Sequence, residues 1–318
     1  MELKIRKIKL PMLIALLLLL FTALFSLIFA LFGRGEEYES NANSTTINTA
    51  DPADISEEHI EPITTIIQMT PADISRGSLI LVNSDFPYEM PDEPRVIPVS
   101  DAKTNSYMVV NENIALLPEV IRSLNDMMDA FYAETGLNNV TIRSAFRSFE
   151  QQQSALDAWI ATVGAEEAAR WAALPGHSEH HTGLAIDFGI YNNGELSVFN
   201  GDGDHAWFRY NAYRFGFILR FTEALSNITG VADEPWHYRY VGVPHAYFIY
   251  RRGWALEEYL AFLRDFRSDD PFTGYYDGMW YEIFFTNDIQ IEISIDAEFN
   301  ISGNNIDEFI VTIKHSRT

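Results

Sequence analysis

The chain has no cysteine, which excludes a disulfide framework, a disulfide-linked partner, a thiolate metal site and a cysteine nucleophile. It is also short of positive charge. Only 22 Lys and Arg stand against 45 Asp and Glu, a formal net charge of −23. Four of those cations, Lys4, Arg6, Lys7 and Lys9, lie at the extreme N-terminus, so the remainder is more acidic still. A body of that sign repels polyphosphate and gains nothing from anionic lipid, so sequence-independent nucleic-acid binding is excluded. After Lys103 the only lysine is Lys314, followed by His315 and Ser316. The K-T-G element of a penicillin-binding serine enzyme is therefore missing, and the S-x-x-K at Ser100–Lys103 and S-x-N at Ser123–Asn125 are chance matches. What the chain does have is apolar content. Its 318 residues, 47% of them hydrophobic, can bury one good-sized domain with accessories.

Leu10 to Phe32 is a 23-residue run without a charge, preceded by the basic cluster. At helical rise it spans roughly 34 Å, enough to cross a bilayer core. The basic flank predicts a cytoplasmic N-terminus, with everything from residue 34 outside. The run is longer than the apolar part of a cleaved signal peptide, so it reads as an uncleaved transmembrane anchor over 1–33. Residues 34–76 read as a flexible tether rich in Asn, Ser, Thr, Glu and Pro. Pro-Ala-Asp-Ile-Ser occurs twice there, at 52–56 and 71–75, too few copies for a solenoid.

From residue 77 the pattern mixes strands and helices. Leu79–Val82 reads as a buried strand, and Pro118–Thr135 as a helix begun by proline and stopped by Gly136. Val140–Ile142 predicts a strand, and Glu150 to about Ala173 a helical stretch broken near Gly164. Leu184–Phe188 and Trp236–Tyr240 alternate as strands do. Further helices are expected near 205–215 and 254–264. Beyond residue 268 the texture is β-rich, with strands at Tyr281–Phe285, Ile289–Ile295 and Phe309–Ile313. The expected class is α+β: a domain over 77–268 with a central antiparallel sheet flanked by helices, and a small β-rich segment over 269–318.

The chemistry is concentrated in two segments, Pro175-Gly176-His177-Ser178-Glu179-His180-His181-Thr182-Gly183-Leu184-Ala185-Ile186-Asp187 and Glu234-Pro235-Trp236-His237-Tyr238-Arg239. Without cysteine, a hydrolytic zinc site needs three N/O ligands and one open position. His180, Asp187 and His237 can supply those three. Glu234 then stands close enough in sequence to act as a base. Two plainer readings remain open at this level: a His-rich loop as solvated surface, and Trp-His on a strand as core. Asp202, Asp204 and His205 read as a turn.

Ser178-x-His180-x-x-Gly183-x-Ala185-x-Asp187, followed by Glu234-Pro235-Trp236-His237-x-Arg239, resembles the VanY-type zinc D,D-carboxypeptidases of the D-Ala-D-Ala metallopeptidase family. Phe146-Arg147-Ser148-Phe149-x-x-Gln152 resembles the same family's upstream signature, and Phe215–Arg220 extends the likeness. The resemblance implies one Zn²⁺ per chain held by His180, Asp187 and His237, with Glu234 as catalytic base. It also implies Arg147 as the group that binds substrate and stabilises negative charge on the attacked carbonyl. Ser148, Gln152 and Ser178 occupy positions implied to contact the peptide. Gly183 and Ala185 read as small residues permitting close backbone approach. His177 and His181 read as loop or rim residues, and Glu179 as a partner of the ligands or a solvated group. The expected activity is removal of the terminal D-Ala from peptidoglycan stem peptides ending in D-Ala-D-Ala, on the outer side of a bacterial membrane. Related D,D-dipeptidase, L,D-carboxypeptidase or endopeptidase cuts, or a non-catalytic zinc-bearing wall-binding module, are the alternatives.

Overall fold

The computed structural model describes residues 63–315. The expected anchor and most of the expected tether lie outside them. Among the described residues no helix is long and apolar enough to cross a membrane.

In chain order the first strands are β1 (Thr64–Gln68), β2 (Ile97–Pro98), β3 (Met108–Val109) and β4 (Ala115–Leu116). Helix α1 (Pro118–Thr135) follows, with proline in its first turn and Gly136 in the left-handed region (φ 73°) as its stop. Its buried face, Val120, Ile121, Leu124, Met127, Met128 and Phe131, falls at helical spacing. That face packs on the inner side of a sheet whose strands contribute Val140, Ile142, Ile186, Phe188, Phe217 and Tyr238. Those strands are β5 (Val140–Ser144), β6 (Ala185–Asn192), β7 (Glu195–Val198), β8 (Phe217–Leu219) and β9 (His237–Tyr240). The sheet runs β3-β5-β6-β9-β8, with β7 also pairing β6. All its pairings are antiparallel except the short parallel edge of β3 on β5.

Between β5 and β6 lie α2 (Phe149–Val163) and the single turn α3 (Ala165–Ala168), separated at Gly164. The helix expected near 205–215 is three pieces, with an α-helical turn α4 (Trp207–Asn211) between 3-10 turns, and another turn, α5 (Ser226–Thr229), precedes β9. After β9 come α6 (His245–Arg252), which periodicity did not single out, and α7 (Leu256–Leu263). The chain ends in β10 (Phe272–Tyr276), β11 (Met279–Thr286), β12 (Gln290–Ser294), β13 (Glu298–Gly303) and β14 (Phe309–His315). Four of these form an antiparallel sheet ordered β10-β11-β14-β13.

Three expectations need correction. The tether was expected to run to residue 76, yet β1 pairs with β12 over Thr64–Gln68. The second Pro-Ala-Asp-Ile-Ser copy is a 3-10 turn opened by Thr70, whose backbone N–H donates to Asp73. Ile67, Met69 and Ile74 pack against Phe284, Ile291 and Val311, and this apolar contact holds a polar-looking segment in place. Second, Leu79–Val82 is buried but is not a strand. Its neighbouring carbonyls, Ser78 and Ile80, accept from Arg239 Nη2, and Leu81 N donates to Asn304. Third, the β-rich segment is not independent of the preceding domain, although Phe284, Ile291, Ile293, Phe309 and Val311 cluster among its own strands. Tyr281, Ile283, Phe285 and Ile310 share one apolar cluster with Leu256, Tyr259, Leu260 and Leu263 of α7.

Candidate active site

Strand register assembles the centre. On β9, Tyr238 faces the core, so by alternation His237 and Arg239 face the other way. On β6, Ile186 and Phe188 are core residues and Asp187 between them points to the same outer face as His237. Asp187 stands directly opposite His237 across β6–β9, and opposite Ser144 across β5–β6. The second pairing exists because the β5–β6 register shifts between Ile142 and Ser144, an irregularity of the kind that re-aims side chains beside active sites. His180 arrives from the 3-10 turn Glu179–Thr182, which ends at Gly183 in the left-handed region (φ 71°). A Cβ at Gly183 would lie 2.7 Å from Val96 Cγ1, so both the backbone angle and the space require glycine.

The ligand atoms of His180, Asp187 and His237 lie within 4.8 Å of one another. Asp187 Oδ2 is 3.3 Å from His180 Nε2, and Oδ1 is 2.9 Å from His237 Nδ1. The far nitrogen of each ring has its own acceptor: Ala145 O for His180 Nδ1, and Glu179 Oε2 at 3.2 Å for His237 Nε2. An outer N–H held in this way fixes the ring and directs the inner lone pair at an ion. Two imidazoles and one carboxylate, all buried, form a donor set that fits zinc and leaves a position open. Burial, reinforced by Arg147, lowers His180 to about 4 and keeps it neutral. Burial also opposes charge on His237, but its bonds with Asp187 and Glu179 prevail and hold it up to about 9. The His237 proton must leave when an ion binds, so metal loading is coupled to pH.

Glu234 is buried, with Oε2 3.9 Å from His237 Nδ1. Burial pushes its carboxyl up to about 8, the direction expected of a group that must exchange a proton near neutrality. Arg147 is clamped on every side. Its Nη2 is 2.8 Å from Asp187 Oδ2 and 2.9 Å from His180 Nε2, Nε donates to Ser144 Oγ, and Nη1 donates to Gln152 Oε1 at 2.9 Å.

Of the implied substrate contacts, Arg147, Gln152 and Ser178 line the cleft and Ser148 does not. Ser148 instead caps α2, accepting from Gln151 N and donating to Glu150. Gln152 spends both ends of its amide internally, on Arg147 and on Ala173 O, and so positions the guanidinium. Ser178 Oγ accepts from His180 N at 3.3 Å.

His181 braces the loop, accepting from Gly176 N and donating to Arg147 O. His177 sits on the cleft wall with Nδ1 2.8 Å from Asn83 O. Neither belongs to the ligand cluster. His205 lies apart, 3.0 Å from Asn139 Oδ1.

The sequence left Glu179 as either a partner of the ligands or a solvated group, and the structure shows it against His237. It is buried, and its Oε1 accepts from Arg220 Nε at 2.8 Å and Arg239 Nη1 at 2.7 Å. Burial disfavours its charge, but the two guanidinium groups hold it well below the usual carboxylate range. Arg220 is shared with Glu257 on α7 at 2.6 Å. These four charges cancel inside the protein, which is what makes their burial tolerable.

Comparison with known proteins follows this geometry. The family described as VanY, D-alanyl-D-alanine carboxypeptidase, matches residues 113–243. A D-alanyl-D-alanine carboxypeptidase of Enterococcus faecium is 30% identical over 251 residues, covering 77% of this chain and 78% of the relative. The chain belongs to the VanY family. The bifunctional D-Ala-D-Ala dipeptidase and carboxypeptidase VanXYC of Enterococcus gallinarum is 31% identical over 59% of this chain and 95% of its own. Among solved structures, the D,D-dipeptidase VanXYg in complex with a D-Ala-D-Ala phosphinate analogue superposes with a TM-score of 0.72 at 31% identity, covering 80% of this chain and all of its own. The VanY match contains Arg147, His180, Asp187, Glu234 and His237, and stops before α6. The likeness to VanXYg reaches further, over most of the described chain.

Proposed function

We propose that this VanY-family protein is a zinc D-alanyl-D-alanine carboxypeptidase that releases the terminal D-Ala from peptidoglycan stem peptides. The observation that carries the reading is the convergence of His180, Asp187 and His237 within 4.8 Å, with Glu234 and Arg147 beside them in one cleft. One zinc ion per chain fits the donor set. When bound, zinc supplies Lewis acidity, polarising a carbonyl and acidifying a water toward a pKa of about 7.

The chain's own groups supply the rest. Glu234 takes a proton from the attacking water and returns it to the leaving amine, so its carboxyl must cycle between its two forms. Arg147, fixed by Ser144, Gln152 and Asp187, presents its guanidinium where negative charge grows on the attacked carbonyl. Ser144 and Gln152 hold the guanidinium from behind, while its Nη2 would give up His180 Nε2 to an ion bound there.

The sequence supports placement at a bacterial membrane: the basic cluster before Leu10–Phe32 stays cytoplasmic and the catalytic residues face the wall. The same pattern supports the domain reading of anchor, tether and peptidase. Likeness to VanXYg, named a D,D-dipeptidase, favours hydrolysis of free D-Ala-D-Ala as the second reading.

Mass spectrometry of products from a stem pentapeptide, a tetrapeptide and free D-Ala-D-Ala separates these cuts. Glu234→Ala is expected to keep zinc, by metal analysis, and to lose turnover by at least about a thousandfold. Hydrolysis retained in that variant overturns Glu234 as the base.

A further inference from the structure

A second hollow shares no residue with the catalytic cleft. It lies between α6, the corner at Trp254, α7 and the strand β10. All of it is beyond residue 243, where the VanY match ends. A Cβ at Gly274 would collide with the Phe248 ring, so glycine in the middle of β10 is what lets α6 close on the strand.

The floor of the hollow is aromatic. Trp254 and Phe262 stand with ring centroids 5.0 Å apart, and Phe262 meets Phe272 of β10 at 5.3 Å. Tyr247, Thr273 and Tyr275 add hydroxyl groups to the lining. The rim is cationic. The Arg252 guanidinium carbon lies 5.0 Å from the Trp254 centroid and 5.8 Å from that of Phe262, and Arg251 lines the same hollow. A guanidinium laid on a ring keeps its N–H edge for a planar anion. The last turn of α6 accounts for two cations, because a helix C-terminus favours them. It does not account for their isolation. In a chain with 45 acidic residues against 22 basic ones, Arg170, Arg214, Arg264 and Arg267 each pair with a carboxylate. Among the described residues, Arg251 and Arg252 pair with none.

The volume, about 310 Å³, is at the low end of the range of about 300–1,000 Å³ that small ligands fill, too little for a helix or a folded partner. The ring faces bury a flat C–H surface, the hydroxyls suit other hydroxyls, and the guanidinium pair suits a carboxylate. A pyranose ring with a carboxylate satisfies all three. The acidic body repels a polyanion, so a single charge fits better than a phosphodiester chain.

We infer that this hollow is a saccharide site for a pyranose ring bearing a free carboxylate, with Arg251 and Arg252 on the carboxylate and Trp254 against the ring. The ligand is a sugar of the wall glycan to which stem peptides are attached, and Phe272, Thr273 and Tyr275 give the β-rich segment a part in holding it. The choice of a wall sugar rests on the wall-facing reading; the chemistry of the hollow does not.

The test is calorimetry on the zinc-loaded full-length protein with N-acetylmuramic acid, whose ring bears one carboxylate, and with N-acetylglucosamine, the same ring without the carboxyl-bearing ether. The acid is expected to bind at least about tenfold more tightly. The double variant Arg251→Gln/Arg252→Gln loses that preference and hydrolyses a D-Ala-D-Ala peptide as the parent does. Trp254→Ala weakens both sugars, while Trp254→Phe keeps most of the binding. Equal binding of the two sugars, or a preference intact in the arginine variant, overturns the inference. So does displacement of N-acetylmuramic acid by a D-Ala-D-Ala peptide, which would put the sugar in the catalytic cleft. Acetyl-glutamate amide binding as tightly as the acidic sugar would make the hollow a site for acidic peptides and sink the saccharide. Hydrolysis does not enter the binding measurement, so a protein that takes the acidic sugar and cuts no peptide fails the carboxypeptidase reading alone.

Discussion

Removing the Glu179 carboxylate tests whether the metal centre is held from behind. Glu179 is buried at the back of the cleft. It accepts from His237 Nε2 on one oxygen, and from Arg220 and Arg239 on the other. In Glu179→Ala, Arg239 keeps only backbone carbonyls at Ser78, Ile80 and Tyr240, and its charge is left without a counter-ion. Arg220 keeps its paired bonds to Glu257. Breaking a buried ion pair from one side costs about 3–5 kcal/mol, and the retained Arg220–Glu257 pair places the expected loss toward the lower end. Glu179→Gln keeps the shape and one acceptor oxygen but removes the charge, so His237 is less firmly fixed and zinc affinity falls by about 10–100-fold. The assays are urea melts of both variants and competition for zinc against a chelator of known affinity. Glu234→Ala is the control, because it leaves the rear of His237 untouched and should bind zinc nearly as the parent does. A Glu179→Gln protein with parental zinc affinity would refute the argument that this carboxylate orients the ligand.

Two further outcomes follow from burial. A chain ending at Ser268 loses Tyr281, Ile283, Phe285 and Ile310 from the cluster they share with α7; at about 1.5–3 kcal/mol per side chain this rivals the whole stability of a domain, and a soluble, cooperatively melting fragment over 63–268 would contradict it. His245 lies between Tyr259 and Thr312, and burial lowers it to about 3; the unfolded chain then binds the extra proton between about pH 3 and 6.5, so stability is fully present above that window and is lost as pH falls through it. Going from pH 6.5 to 5, the His245 share amounts to about 2 kcal/mol; an equal loss in His245→Asn, read from urea midpoints, would rule out His245 as the source.

His180, Asp187 and His237 were expected together from the family resemblance, and strand alternation accounts for the placement of the two that lie on strands, His180 arriving from a 3-10 turn. Ile186 and Phe188 commit one face of β6 to the core, and that alone sends Asp187 to the other. Glu179 was not legible to the same depth, since its partners His237, Arg220 and Arg239 lie 58, 41 and 60 residues away and no local period encodes them. Gln152 and Ser148 show the same limit: neighbours in one motif, yet one is buried against Arg147 and the other caps a helix. β1 escaped notice because its five residues end an otherwise polar stretch, and its order comes from pairing with a strand more than two hundred residues later.

These long-range contacts give the β-rich segment a connection to the site even though it carries no catalytic group. His237 is backed by Glu179, Glu179 by Arg220, and Arg220 by Glu257 on α7. α7 in turn rests on Tyr281, Ile283, Phe285 and Ile310 of the C-terminal strands. A second route reaches the same place: Arg239, bonded to Glu179, also holds Ser78 and Ile80, and the backbone between them is fixed to Ser302, whose Oγ accepts from Leu79 N. Packed elements have few alternative arrangements, so the orientation of His237, one of the three groups proposed to hold zinc, depends on strands that come after it in the chain. The VanY match ends at residue 243, before any of those strands begin; the matched segment holds the groups proposed to react, and part of their support lies beyond it.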